Sequence, residues 1–153
     1  SDLLIPKILY NIFSNRELPI YSKGLNLREW IYVEDHCEAL LLLFRKGKSG
    51  ENYNVGTGFN LKNINLAKKI LKLCFFQKIK IGKKSKVIFV KDRPGHDFRY
   101  ALNFKKIRKK LKWRAKTSID DGLNKTIKWY NNNKEFLKKM SSKNLSKRHG
   151  LKI

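Results

Sequence analysis

"LREWIYVEDHCEALLLLF", residues 27–44, changes its periodicity halfway along. Residues 27–32 read as an extended segment, in which alternation puts Arg28, Trp30 and Tyr32 on one face. From residue 33 the pattern becomes helical, and residues 33–44 read as a helix. Glu34 and Asp35 sit in its first turn, where the helix dipole favours acidic groups. Gly47 and Gly50 stop it. The apolar run 39–44 is the longest in the chain. It falls far short of the roughly 20 residues that cross a membrane and reads as a buried helix segment. His36 and Cys37 form no dyad, because neighbours on a helix point about 100° apart. A strand running into a helix is the repeating step of an α/β fold.

The same step recurs on either side. Residues 3–13 are helical by period, with apolar Leu4, Ile5, Ile8, Leu9 and Ile12, and with Ser1 or Asp2 as a cap. Residues 18–21 are a short strand, which Pro19 marks as an edge, and residues 22–24 are a turn. Residues 52–55 read as another short strand, closed by Gly56-Thr57-Gly58. That triplet lacks the third glycine of a dinucleotide fingerprint and reads as a turn. Asn63 caps a helix over 64–74, and residues 87–90 form a strand. Asn103 caps a short helix over 104–111 whose basic face is solvated. Thr117 or Ser118 opens the last clear helix, to about residue 130, with Asp120 and Asp121 in its first turn. Residues 131–153 turn polar, basic and poorly periodic, and read as a frayed helix or a disordered tail. The expected organisation is a small α/β domain, 1–130, followed by a basic tail, 131–153.

Between strand 87–90 and helix 104–111 lies "KDRPGHDFRY", residues 91–100. Pro94-Gly95 is a turn dipeptide, so the loop presents Arg93, His96 and Arg99 together. Two guanidiniums on one loop suit a phosphate or pyrophosphate. The spacing fits equally a loop whose arginines pair with Asp92 and Asp97. No Ser/His/Asp or Cys/His set has supporting context, and no metal-ligand spacing is present, so the residues propose no catalytic group and no metal site.

The chain has 153 residues, 36 Lys and Arg against 12 Asp and Glu, and a net charge of +24. Such a balance is an electrostatic footprint for nucleic acid. It is discounted here, because lysine far outnumbers arginine, as an AT-biased coding sequence produces, and because the lysines spread over every element. Cys37 and Cys74 match no metal spacing and read as buried thiols of a reducing cytoplasm. No secretory signal opens the chain, and it begins on Ser1, which reads as a piece of something longer.

Three segments carry a family pattern: "LPIYSKGLNLREWIYVEDHCEAL" (18–40), "GENYNVGTGFNLKN" (50–63) and "DRPGHDFRYALNFKKIRKKLKW" (92–113). In order and content they resemble the C-terminal half of the dTDP-glucose 4,6-dehydratases, members of the extended short-chain dehydrogenase/reductase superfamily. The "REWIYVEDH" type of motif is shared with sugar-nucleotide epimerases and decarboxylases, whereas "RPGHDFRYAL" followed by "LKW" is more specific to the dehydratase branch. The resemblance implies the small substrate-binding portion of an α/β enzyme whose N-terminal Rossmann domain, missing here, binds NAD and carries the catalytic residues. The whole enzyme would oxidise C4 of the sugar, eliminate water across C5 and C6, and return the hydride to C6. Carried over by motif, Pro6 lies in a stretch covering the substrate, and Pro19 and Tyr21 frame the thymine. Arg28 reaches the diphosphate, Asn63 bonds the nucleotide, and Arg93 with His96 completes the diphosphate grip. The resemblance assigns no catalytic or cofactor-binding residue to this chain, which alone would be inactive and bind no NAD. It implies a cytoplasmic homodimer that takes a dTDP-sugar, with the Rossmann half supplied in cis or in trans. Apart from its partner half the chain would expose apolar surface from residues 3–13 and 40–44. The sequence departs from the family at Leu3, at Ser22 (usually glycine) and in having no tyrosine after Tyr130. Another sugar-nucleotide epimerase or decarboxylase, or a basic nucleic-acid-binding module, are the alternatives.

Overall fold

Helices and short strands alternate along most of the chain in a computed structural model that describes residues 3–92 and 94–140. In order they are α1 (Leu4–Phe13), β1 (Leu18–Tyr21), β2 (Leu27–Glu29), α2 (Val33–Lys46), β3 (Asn60–Lys62), α3 (Asn63–Phe76), β4 (Val87–Val90), α4 (Lys105–Leu111), α5 (Ile119–Asn132) and α6 (Lys134–Met140). They fall into two compact units. Unit 1 comprises Ser1–Leu25, Asn63–His96 and Asn124–Ile153, and unit 2 comprises Asn26–Lys62 and Asp97–Leu123.

Unit 1 is built on β1 and β4, which pair in parallel from Leu18↔Val87 to Tyr21↔Val90. Strand alternation sends Leu18 and Ile20 into the core and leaves Pro19 and Tyr21 half-buried on the other face. Pro19 has no N–H to give to a ladder and is tolerated because each strand of this pair has an open edge. α1 packs against β1, α3 and α6. It contributes Ile8, Leu9 and Ile12 to a core that Leu66, Ile70 and Cys74 of α3 complete. Each large apolar side chain so buried stabilises the unit by about 1.5–3 kcal/mol. Gly24 turns the chain after β1 with φ +70; a Cβ there would sit 2.8 Å from both Ile20 Cγ2 and Ile64 Cβ. Ser22, beside it, also adopts a left-handed backbone, φ 49, which explains why the family pattern prefers glycine at that position.

Unit 2 is held by main-chain bonds around β2. β2 pairs antiparallel with β3, from Leu27↔Lys62 to Glu29↔Asn60. On its other edge the Leu27 N–H donates to Phe98 O at 2.8 Å, and the Tyr100 N–H donates to Leu27 O at 3.1 Å. Glu29 joins three further points. Its Oε1 accepts the Thr57 and Gly58 N–H groups at 2.6 and 2.7 Å, and its Oε2 accepts the Leu102 N–H at 2.9 Å. Gly56 lies so close that a Cβ would come within 2.4 Å of Glu29 Oε1. Asp35, buried in the first turn of α2, accepts the Thr117 N–H at 2.9 Å. Ser118 caps α5 by accepting the Asp121 N–H at 3.1 Å. Ala39, Ile107 and Trp113 form the apolar centre of this unit, with Tyr53, Val55 and Phe104 packed on it.

Several expectations are corrected. Residues 52–55 are not a strand; that segment spends its apolar side chains, Tyr53 and Val55, on the cluster around Trp113. As far as Met140, the stretch expected to be a frayed or disordered tail is the end of α5 followed by α6, and Leu137 is 1% exposed. The rest of that tail, 141–153, lies outside the described residues. Within residues 3–13, Leu3 is exposed and Leu4, Ile5 and Phe13 are half-buried, while Ile8, Leu9 and Ile12 of α1 face the core. α2 does form an apolar outer face. Val33, Leu40, Leu41 and Phe44 are all exposed, Phe44 by 90%, and Cys37 shares their exposure instead of being buried. Cys74 is the buried thiol, and burial pushes it up to about 11. No helix among the described residues is long and apolar enough to cross a membrane.

These contacts have measurable consequences. Glu29→Ala leaves three backbone donors unpaired and is expected to cost about 2–4 kcal/mol in urea denaturation, on the scale of hydrogen bonds to charged groups. Glu29→Gln, which keeps one acceptor oxygen, is expected to cost less. At pH 7.5 a maleimide is expected to label one thiol per native chain, Cys37, and to reach Cys74 only after unfolding, because the thiolate is the nucleophile. A hydrophobic-surface dye is expected to brighten on the native chain and to lose most of that signal in Leu41→Lys/Phe44→Lys.

Candidate functional site

The carboxyl ends of parallel strands are where open α/β folds place ligands, because the connecting loops there present side chains and main-chain groups together. In unit 1, β1 ends at Tyr21 and β4 at Val90, and the Ser22 N–H donates to Val90 O at 2.8 Å, locking the two ends side by side. The loop after β4 returns His96 to Tyr21, their rings meeting edge to face with centroids 5.7 Å apart and planes at 81°. Asp92 lies four residues before His96, and the Pro94-Gly95 turn brings its Oδ1 to 2.6 Å from His96 Nδ1. A carboxylate only accepts, so Nδ1 carries a proton and the tautomer of the neutral ring is set. The His96 side chain is 6% exposed and that of Asp92 36%, which orders the imidazole while leaving the carboxylate in reach of water.

Asn63 opens α3 and is 8% exposed, and its Oδ1 has no hydrogen-bond partner. The turn below it is fixed by the Ile64 N–H, which donates to Gly24 O at 3.0 Å. A shielded amide oxygen without a donor is costly in a protein interior and is what a ligand N–H or O–H would satisfy. Pro19 lies in β1 two residues before Tyr21, and Pro6 lies in the first turn of α1, where its missing N–H costs no helical bond. Arg93 lies outside the described residues.

Arg28 belongs to unit 2. Its Nη1 donates to Leu27 O at 2.7 Å and to Phe98 O at 3.5 Å, its Nη2 donates to Asp97 O at 2.8 Å, and its guanidinium lies 4.8 Å from the Tyr100 ring centroid. The Tyr100 hydroxyl in turn donates to Asp97 Oδ2 at 2.5 Å. Among the described residues, Asp92 bonds His96 and Asp97 bonds Tyr100. Sequence reasoning missed Asp92 and Glu29 as organising groups. For Asp92 the signal was present, a carboxylate four residues from a histidine across a Pro-Gly turn. For Glu29 it was not, because its partners are backbone amides about 30 and 70 residues away, contributed by Thr57, Gly58 and Leu102.

The Gly56-Thr57-Gly58 turn does not suit a pyrophosphate, because its amides already serve a carboxylate. Among the described residues no group of three or more His, Cys, Asp or Glu is placed to hold a metal ion.

Residues 2–126 match the family model described as GDP-mannose 4,6 dehydratase. A probable dTDP-glucose 4,6-dehydratase of Sinorhizobium fredii is 42% identical over 130 residues, 84% of this chain and 37% of that protein. Among solved structures, the dTDP-glucose 4,6-dehydratase of Bacillus anthracis, in complex with NAD, superposes with a TM-score of 0.80 at 35% identity, covering 91% of this chain and 42% of that one. The dTDP-glucose 4,6-dehydratase of Streptomyces venezuelae, with NAD and TYD bound, gives a TM-score of 0.79 at 36% identity, covering 88% of this chain and 40% of that one. The chain thus spans about two-fifths of the length of these relatives. It belongs to the GDP-mannose 4,6 dehydratase family, and within that family it is similar to the C-terminal part of the dTDP-glucose 4,6-dehydratases.

Proposed function

We propose that this chain forms the nucleotide-binding side of a dTDP-glucose 4,6-dehydratase, the enzyme that converts dTDP-glucose to dTDP-4-keto-6-deoxyglucose for deoxysugar and cell-surface polysaccharide synthesis. The observation that carries the reading is the Asp92–His96 pair set against Tyr21 at the carboxyl ends of β1 and β4. Tyr21 and Pro19 offer an aromatic and a flat aliphatic surface to thymine. Asn63 has an unsatisfied carbonyl for a donor on the nucleotide. His96, Arg93 and Arg28 supply charge-assisted donors to the diphosphate, and Pro6 lies in the stretch that covers the substrate. When bound in the complete fold, NAD supplies the acceptor and donor of hydride. The residues of this chain act at the other end of the substrate, holding the nucleotide so that the sugar is presented to the catalytic half. That half, joined in cis or assembled in trans, is the proposed cover for the exposed face of α2, and the assembly is a cytoplasmic homodimer.

Calorimetric titration of dTDP tests the reading. Each charge-assisted contact contributes about 1.5–3 kcal/mol, so Arg93→Ala and His96→Ala are each expected to weaken binding at least about tenfold. Arg93→Lys is expected to recover only part of the loss, because an ammonium keeps the charge and loses the two-pronged geometry. An arginine that merely pairs with a carboxylate on an exposed loop is worth about 0–1 kcal/mol to stability and nothing to nucleotide affinity. Equal dTDP affinities for the parent and all three variants would overturn the assignment.

A further inference from the structure

Beyond the nucleotide site, the most uneven charge in the molecule lies on α4. Residues 98–119 hold nine Lys and Arg and no Asp or Glu. Lys105, Arg108 and Lys109, with Lys112 at the helix end, follow a spacing of three, four and seven residues, so they share one face within about 100°. Together with Arg114 they line an open groove of about 550 Å³. The opposite face is committed to the protein, since Ile107 is fully buried and Leu111 packs on the same cluster. Neighbouring cations of the same stretch have partners: Lys106 lies 3.3 Å from Glu51 and donates to Asn52 O at 2.8 Å, and Lys116 lies 2.7 Å from Glu38. The five that line the groove are all exposed and meet no carboxylate among the described residues.

Two bland explanations fall short. The helix dipole rewards cations in the last turn of α4, but Lys105 stands in the first turn, where the dipole disfavours it. A coding bias toward lysine explains lysines, but not the two arginines of the groove or the loss of every carboxylate from the segment. Like charges three and four residues apart also oppose the helix they sit on, a conflict that an external anion relieves. Expectation from the sequence spread the lysines over every element; the fold gathers three of them, with two arginines, on one groove.

We propose that this groove is a docking surface for the phosphate backbone of double-stranded nucleic acid, bound without sequence preference. The stripe runs about 10 Å along the helix, the span of about three phosphates of one strand. No aromatic ring is exposed within it: Trp113 is 5% exposed, and Phe104 is packed on the core. The surface therefore has nothing on which unpaired bases stack, which favours a duplex over a single strand.

Binding of a labelled 20-base-pair duplex, followed by anisotropy from low to high salt, tests the proposal. The triple variant Lys105→Gln/Lys109→Gln/Lys112→Gln is expected to lower the slope of log K against log salt by about 2–3, since each phosphate neutralised contributes about 0.9. The charge-preserving triple variant to arginine is expected to retain the slope. The control is Lys23→Gln/Lys68→Gln/Lys128→Gln, which removes the same charge from exposed positions elsewhere. It is expected to change the slope by less than half as much. Equal losses in the two glutamine variants would reduce the effect to net charge and overturn the site. So would tighter binding to single strands, to inorganic polyphosphate, or to phosphatidylserine vesicles than to the duplex.

Discussion

Unit 2 depends on one carboxylate. Glu29 accepts three backbone N–H groups, two from the Gly56-Thr57-Gly58 turn and one from Leu102, and so joins β2 to two loops that are otherwise remote in sequence. The demand comes first from the loops. Their amides point inward and need acceptors, and a lone carbonyl cannot serve three donors converging on one place. The identity of Gly56 follows from this arrangement, since any side chain there would strike Glu29 Oε1. A glycine-rich turn that could be taken for a phosphate cradle is therefore an internal one, already occupied by an anion that the protein itself supplies. Strand alternation then decides what Arg28 does. It projects to the opposite side from Glu29 and clasps the main chain of Asp97 and Phe98.

The loop over residues 91–100 answers to both units. Its first half, through His96, is anchored by Asp92 and Tyr21 in unit 1; its second half, from Asp97, is anchored by Arg28 and Tyr100 in unit 2. Among the described residues, one aspartate bonds an imidazole and the other a phenol. This division explains the density of charged and aromatic residues in so short a segment. Two separate hydrogen-bonded anchors are built within about ten residues, and the Pro94-Gly95 turn lies inside the first of them, between Asp92 and His96.

What the sequence disclosed was periodicity, and what it withheld was direction. β1 and β4 were legible to the residue, because Leu18 and Ile20 alternate with Pro19 and Tyr21 and because 87–90 is a run of β-formers bounded by polar residues. The apolar residues of α2 were equally visible as a helix, yet nothing local says that Leu40, Leu41 and Phe44 face outward while Ala39 faces in. Burial is a property of what lies opposite, and for that face the described residues supply no cover. Cys37 was misread for the same reason. α6 failed differently: one anchor, Leu137, on a seven-residue helix gives a period too short to register among lysines. At the candidate site, family motifs named Tyr21, Asn63 and His96 as candidates, whereas the hydrogen bond that orders His96 needed coordinates.

The charge balance of the chain ties these observations together. With 12 acidic residues against 36 basic ones, carboxylates are the scarce component, and their placement decides where positive charge remains uncompensated. Glu29 and Asp35 go to backbone amides, Asp92 to an imidazole and Asp97 to a phenol, while Glu38 and Glu51 meet lysines in unit 2. The bond from Lys106 is the main reason that the Glu51 carboxyl lies below its usual range. Four carboxylates thus serve structure before neutralisation, because an unpaired buried amide costs more than an exposed ammonium that water already solvates. The cations of α4 are left over by this allocation. A chain with more carboxylates would have screened them; this one holds them ordered on a helix whose other face is locked into the core.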